Sequence, residues 1–294
     1  MQAAITVALG APPADADSVA PITLFSTAGD RIQDRRLLEI GGKGLFTEEI
    51  EAALKDGRID CAVHSLKDMP AEPKDGLTIA ATPEREDVRD AFLSNRYARF
   101  EDLPEGARLG TASLRRQTQA LHRRPDLRIV LLRGNIDTRL AKLDRDEADG
   151  MILAYAGLRR LGLQDRARQL FDPIERPTAP GQGALAVETR AEDADAAWAQ
   201  ALNHAPTALC IAAERGALQA LEGSCRTAIG AYAVLTGGAL ELVVEALTPD
   251  GAERFRWAGR LEHADKAGAA ALGLSLGQKI QAEAGERLLL KGSP

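Results

Sequence analysis

The sequence predicts an α/β protein of two or three domains, and three observations carry that expectation. At 294 residues the chain is too long for one ordinary hydrophobic core. From Arg108 onward, short apolar runs alternate with helical patterns as strand, helix, strand, helix, strand, helix, the rhythm of a parallel sheet. Beyond about Thr207 the pattern becomes one helix, three longer strands and a closing helical stretch, which reads as a small α+β domain.

The elements follow in order. Gln2 to Leu9 is helical, Gly10 to Asp17 a Pro/Ala/Asp loop, and Ile22 to Ser26 a strand ended by Gly29-Asp30. Gly41-Gly42-Lys43-Gly44 is a flexible loop, and Phe46 to Leu54 a helix with Phe46, Ile50, Ala53 and Leu54 on one face, closed by Asp56-Gly57. Ile59 to Val63 reads as a buried strand running into Ser65, Lys67 and Asp68 before Pro70 stops the ladder. An acid and a base at a strand end are candidates for chemistry, since open α/β sheets bind ligands there. Taken alone, the pair fits a solvated turn at least as well.

Further strands fall at Leu77 to Ala81 and Ala91 to Leu93. Leu109-Gly110 leads through Thr111-Ala112-Ser113 into a helix from Leu114, and Ile129 to Leu132 leads through Arg133-Gly134-Asn135 into a second. Met151 to Ala154 leads through Tyr155-Ala156-Gly157 into a third. Right-handed crossovers put these three junctions on one sheet edge, so Arg115, Arg116, Arg133 and Arg139 would crowd one rim beside helix N-terminal amides. Pro173 to Gly183 reads as a connection back across domains. After it come a strand at Ala184 to Val187, helices at Ala194 to Leu202 and Thr207 to Leu221, and strands at Ala228 to Leu235, Leu240 to Ala246 and Arg254 to Gly259.

Composition narrows the classes. The longest apolar stretch, Met151 to Leu158, is far short of a membrane span. Residues 1 to 30 hold no Lys or Arg, so Ile5 to Leu9 makes a poor secretory signal, and the cytoplasm is expected. The net charge is −6, yet residues 108 to 145 carry ten Lys/Arg against three Asp, a cationic surface implying an anionic ligand. No aromatic lies between Phe100 and Tyr155, which removes the stacking platforms of single-strand binding and favours small anions over nucleic acid. Three cysteines without C-x-x-C spacing and four scattered histidines argue against disulfides and metal sites. Cys61 and Cys210 read as small buried hydrophobes. Cys225, beside Arg226 on a glycine-containing turn, is either an ordinary turn cysteine or a covalent attachment point with a favoured thiolate.

Several runs in one order resemble the porphobilinogen deaminase (hydroxymethylbilane synthase) family: Gly41 to Phe46, His64 to Pro70, Arg85-Glu86-Asp87, Gly110 to Gln117, Leu132 to Leu140, Ile152 to Leu163, Pro180 to Ala184 and Glu222 to Gly230. The resemblance implies two domains built like periplasmic binding proteins plus a small C-terminal α+β domain. These are placed at 1–83 with 184–203, at 88–178, and at 206–294. It also implies a monomer that joins four porphobilinogen molecules head to tail with loss of ammonia, in tetrapyrrole (haem) synthesis, without nucleic acid, metal or membrane. A dipyrromethane cofactor would be held by a thioether to Cys225.

By the same resemblance Asp68 is the catalytic acid, and Ser65, Lys67, Thr111, Ser113, Arg115, Arg116, Ala154 and Gly157 meet the cofactor. Arg133, Arg139, Arg160, Lys43, Phe46 and Gln182 meet substrate or the growing chain, with Lys43, Phe46 and Gln182 equally readable as a solvated lysine, a helix-start hydrophobe and a hinge group. The chemistry suits these types. Loss of ammonia from an aminomethylpyrrole leaves a cation that needs a carboxylate beside it, and each pyrrole brings an acetate and a propionate for the arginines. Two other readings stay open: a non-catalytic pyrrole- or anion-binding module with the same fold, and a nucleic-acid binder using residues 108 to 145. A secreted solute-binding protein is disfavoured by the poor signal.

The family's opening strand and Gly-Thr-Arg-x-Ser segment have no match here, and Gln2 matches a position inside the first helix. Ala112, Ser224 and Ala228 stand where serine, glycine and proline are usual. The missing strand predicts that the chain as written is poorly active, because a lost inner strand costs ladder partners and core. A chain extended upstream should show higher specific activity in the same ammonia-release assay, and equal activity would sink the expectation.

Overall fold

The computed structural model describes residues 1–31, 47–221 and 227–289, and the described chain is α/β, with eleven strands in three sheets. The strands are β1 Ala62–Ser65, β2 Leu77–Ala81, β3 Asp90–Leu93, β4 Arg108–Gly110, β5 Arg128–Val130, β6 Gly150–Ala154, β7 Gln169–Leu170, β8 Leu185–Arg190, β9 Ala228–Thr236, β10 Ala239–Leu247 and β11 Arg254–Leu261.

In the first sheet β8 lies between β1 and β2, antiparallel to both. Its central strand comes from a part of the chain more than a hundred residues downstream of its neighbours. The chain therefore crosses to the second sheet through residues 82–89 and returns through residues 171–184, a layout that accords with the periplasmic-binding-protein build. The Glu48–Lys55 helix covers one face of the first sheet with Ala53 and Leu54 fully buried.

The second sheet has the order β5-β4-β6-β3-β7. β4 is parallel to β5 and to β6, as the strand–helix alternation predicts. The sheet is nevertheless mixed, because β3 runs antiparallel to β6 and to β7. β3 is entered from β2 of the first sheet by a connection without a helix, so no crossover sets its direction. Every residue of β3 is buried, with Phe92 packed edge-on to Phe100 on one face and Ala91 and Leu93 packed with Met151 and Leu153 on the other. The helices after β4 and β5, Leu114–Arg123 and Ile136–Asp144, are capped by Ser113 and Asn135, whose side chains accept the Arg116 and Thr138 amides.

The third sheet is an antiparallel meander, β11-β10-β9, under the Ala205–Ala220 and Lys266–Ala284 helices. These two helices meet along a seam of small residues. A Cβ on Gly273 would collide with the Ala213 carbonyl oxygen, and one on Gly277 would lie 2.5 Å from the Ala220 Cβ.

Three expectations need correction. Ile22 to Ser26 has no regular structure, and Ile22 and Leu24 are 64% and 89% exposed, because no described strand lies beside it to pair with. β1 starts three residues late, at Ala62, and takes in His64, which is buried because its Nε2 lies 3.0 Å from Glu188 Oε2 on β8. Cys61 thus precedes the strand and is only half buried, whereas Cys210 is buried as expected. The helix expected over 194–202 shrinks to Ala197–Gln200, since Ala196 is extended.

The seam generates a prediction. Gly273→Ala should gain about 1 kcal/mol of helix propensity but lose about 1–3 kcal/mol to overpacking against a carbonyl that cannot swing away. The thermal midpoint is expected to fall; an unchanged or higher midpoint would show that the helices can separate freely.

Candidate functional site

Two apolar anchors turn the end of β1 into a platform. Leu66 and Met69 are buried and the Leu66 amide donates to the Ala184 carbonyl at 3.1 Å, so the Leu66–Asp68 turn sends Lys67 and Asp68 out to solvent. Gly181, with φ +80°, packs so closely on Leu66 that a Cβ would overlap its side chain. Arg215, on the Ala205–Ala220 helix, donates through Nη2 to the Pro70 and Ala71 carbonyls at 2.8 and 2.6 Å. The turn is pinned from two sides while its charged pair stays free.

Opposite charge surrounds that pair. Lys67 reaches solvent yet stands among protein atoms on most sides, as a side chain in a cleft does. Burial lowers its pKa, Asp68 opposes the shift, and Arg116 adds to it. Burial pushes Arg139 down to about 10, with Arg116 and Arg133 adding and Asp68 opposing. Arg139 Nε also donates to the Gly134 carbonyl at 2.8 Å. Asp68, Lys67, Arg116, Arg133 and Arg139 therefore share one electrostatic neighbourhood, assembled from β1 and from the junctions after β4 and β5.

The residue that organises this rim was not singled out from the sequence. Asp90, 1% exposed at the start of β3, accepts Arg115 Nη1 at 2.7 Å on Oδ2. Its Oδ1 accepts Arg116 Nε and Nη2 at 3.0 and 2.8 Å and Gln182 Nε2 at 2.9 Å. Burial would raise this carboxyl's pKa, but the two guanidiniums outweigh it and hold Asp90 well below the usual carboxylate range. Burial lowers Arg116, against the pull of Asp90.

Other candidates sort by what they touch. Thr111 Oγ1 accepts the Ser113 amide at 3.1 Å, so the Thr111 and Ser113 oxygens first shape the helix start, leaving their hydroxyl protons to donate. Ser65 is half buried, paired with Leu185 across the ladder. Ala154, opposite Asp90 in the β3–β6 register, is half buried at the last position of β6. A Cβ on Gly157 would press on Ile136 Cδ1 at 2.8 Å, so that glycine answers to a neighbouring helix.

One candidate stands differently from the expectation. Gln182 is fully buried rather than facing a ligand: Nε2 donates to the Val88 carbonyl and to Asp90, and Oε1 accepts Arg116 Nη2 at 3.1 Å. Arg160 is exposed, and its Nη2 donates to the Gly183 carbonyl at 2.8 Å, beside the crossing segments. Lys43, Phe46 and Cys225 lie outside the described residues.

A second buried ion pair lies behind the turn. Arg85 donates through both terminal nitrogens to Glu214, at 2.7 and 2.9 Å, and through Nε to the Gln182 carbonyl at 2.8 Å. Glu214 also accepts the Gly181 and Ala233 amides. A charged pair inside the otherwise uncharged 208–221 stretch was the available sequence signal. Two open grooves of about 400 and 430 Å³ share Arg89, Pro173 and Tyr232, and none of the candidate residues lines them.

Residues 2–197 match the family model described as porphobilinogen deaminase, dipyromethane cofactor binding domain, and residues 208–282 match the porphobilinogen deaminase C-terminal domain. The chain belongs to the porphobilinogen deaminase family. It is 63% identical to the porphobilinogen deaminase of Phenylobacterium zucineum over 297 residues, covering 99% of this chain and 93% of the relative. It is 62% identical to that of Caulobacter vibrioides, covering 99% and 92%. A putative methionine-binding lipoprotein from Bacillus subtilis is a distant likeness, 16% identical with a TM-score of 0.37 over 53% of this chain and 73% of its own, and carries no functional weight. Membership places the chain among transferase enzymes of tetrapyrrole synthesis whose cofactor is a dipyrromethane.

The pinning of the Asp68 turn can be tested apart from chemistry. Arg215→Met should leave two carbonyls without their donor and cost about 1–3 kcal/mol. Limited proteolysis within residues 70–76 is expected to speed up in the variant; an unchanged cleavage rate and midpoint would show that the turn holds itself.

Proposed function

We propose that this chain is a hydroxymethylbilane synthase. It condenses four porphobilinogen molecules head to tail with release of ammonia, using Asp68 as proton donor and as counter-charge to the cation left when the amine departs. The observation that carries the reading is a solvent-reaching carboxylate that interacts electrostatically with Lys67, Arg116 and Arg139, on a chain whose family model is that of dipyrromethane binding. An acid that must donate and later accept a proton needs access to the substrate and freedom from a permanent partner. Asp68 is exposed on its turn.

The cofactor fits these residues. Two pyrrole units bring four carboxylates, and Lys67, Arg139 and the terminal nitrogens that Arg115 and Arg116 do not use on Asp90 form a cationic donor set suited to them. Bound at Cys225, the group would supply the free pyrrole carbon to which the first unit is joined, each later unit joining the one before it. Ser113 and Thr111 would donate hydroxyl protons to carboxylate oxygens, and Arg133 would face the extending chain. The domain bounds 1–83 with 184–203, 88–178 and 206–294 belong to this reading, as does a monomer in the cytoplasm; no helix among the described residues is long and apolar enough to cross a membrane.

Two measurements test it. Intact mass of the chain from cells that make porphobilinogen should show an adduct of two linked pyrroles, absent in Cys225→Ser, and an unmodified parent would contradict the cofactor assignment. Asp68→Asn should keep the adduct and bind porphobilinogen within a few-fold of the parent while losing about 10²- to 10⁴-fold in kcat. Full turnover by that variant would remove Asp68 from the chemistry.

A further inference from the structure

Arg115 and Arg116 are consecutive residues at the start of the Leu114–Arg123 helix. Successive helical side chains point about 100° apart, so two neighbours converge on one ligand only if something gathers them. Asp90 does so. Its two oxygens take opposite arginines, Oδ2 from Arg115 and Oδ1 from Arg116. Each guanidinium is held by one side: Arg115 through Nη1, which also meets Gln119 Oε1 at 2.9 Å, and Arg116 through Nε and Nη2. Arg115 Nη2 and Arg116 Nη1 make no hydrogen bond to a described residue.

We propose that Asp90 is the positioning residue for carboxylate recognition: by clamping one side of Arg115 and of Arg116 it presents two uncommitted terminal nitrogens as a preset pair for the carboxylates of a pyrrole dicarboxylate. The proposal rests on the reading of the site as one for porphobilinogen and its oligomers. Two physical effects follow from the clamp. The rotamer freedom of two long side chains is given up in the free protein rather than on binding, so less is lost when ligand arrives. The carboxylate between the guanidiniums also cancels one of their two charges, which weakens capture of simple inorganic anions while leaving the directional bonds for a ligand of matching shape. Gln182 holds the clamp in place through Asp90, Arg116 and the Val88 carbonyl.

Asp90→Asn keeps the volume and removes the charge. The folded variant is expected to lose about 10- to 100-fold in kcat/KM for ammonia release from porphobilinogen, most of it in KM. Sodium sulfate should inhibit it at several-fold lower concentration than the parent, because unclamped guanidiniums take a simple anion. An acid that merely supports the fold would lower the thermal midpoint and leave sulfate sensitivity unmoved. Gln182→Met, which removes one bond to Asp90 and one to Arg116 but keeps the charge, should raise KM by about 3- to 10-fold and decides the matter if the Asp90 variant does not fold. Unchanged KM and unchanged sulfate inhibition in a folded variant overturn the proposal. A parent that releases no ammonia even when extended upstream overturns instead the reading of the site beneath it.

Discussion

A carboxylate taken out of water keeps its charge only if partners replace the water, and Asp90 draws those partners from two distant parts of the chain. It opens the fully buried β3, the arginines come from the helix after β4, and Gln182 comes from the returning segment before β8. Losing one member of such a buried set generally costs about 3–5 kcal/mol, because the others are left charged and unpaired. The constraint is therefore positional: those segments meet at this point or the charge is stranded.

A second constraint of the same kind ties in the third sheet. Glu214, fully buried, receives Arg85 from the outgoing crossing, the Gly181 amide from the returning one and the Ala233 amide from β9. The two networks share Gln182, whose side chain serves Asp90 and whose carbonyl serves Arg85. Gly181 packs on Leu66 and Arg215 holds the carbonyls after Met69, so the turn carrying Asp68 rests on the same framework.

The contrast between the two aspartates links structure to chemistry. Asp90 is saturated and held charged, so it cannot exchange a proton at working pH and can only orient. Asp68 stands on an exposed turn among cations that are themselves held elsewhere, Arg116 by Asp90 and Arg139 by the Gly134 carbonyl. Burial separates a carboxylate locked in place from one that reaches solvent without any difference in residue type.

Much of the local structure was legible in residue order. The β4–β6 alternation, the helix starts after Ser113 and Asn135, β2 and the three C-terminal strands follow from apolar periodicity and local turn chemistry, which are short-range. Asp90 was passed over because an acid before Ala91-Phe92-Leu93 reads as a boundary, and His64 because a histidine reads as the end of an apolar run; each is buried only because a partner arrives from far along the chain. The failed strand at Ile22 to Ser26 has the same cause in reverse, a strand-like run with no described neighbour to pair with. By itself the sequence determined the α/β class, the family motifs and the residue types at the site, since these depend on neighbours in the chain. Only the tertiary structure decided which arginines are already committed, which carboxylate is buried and which way β3 runs, because buried charge and strand direction are settled by partners that sequence distance hides.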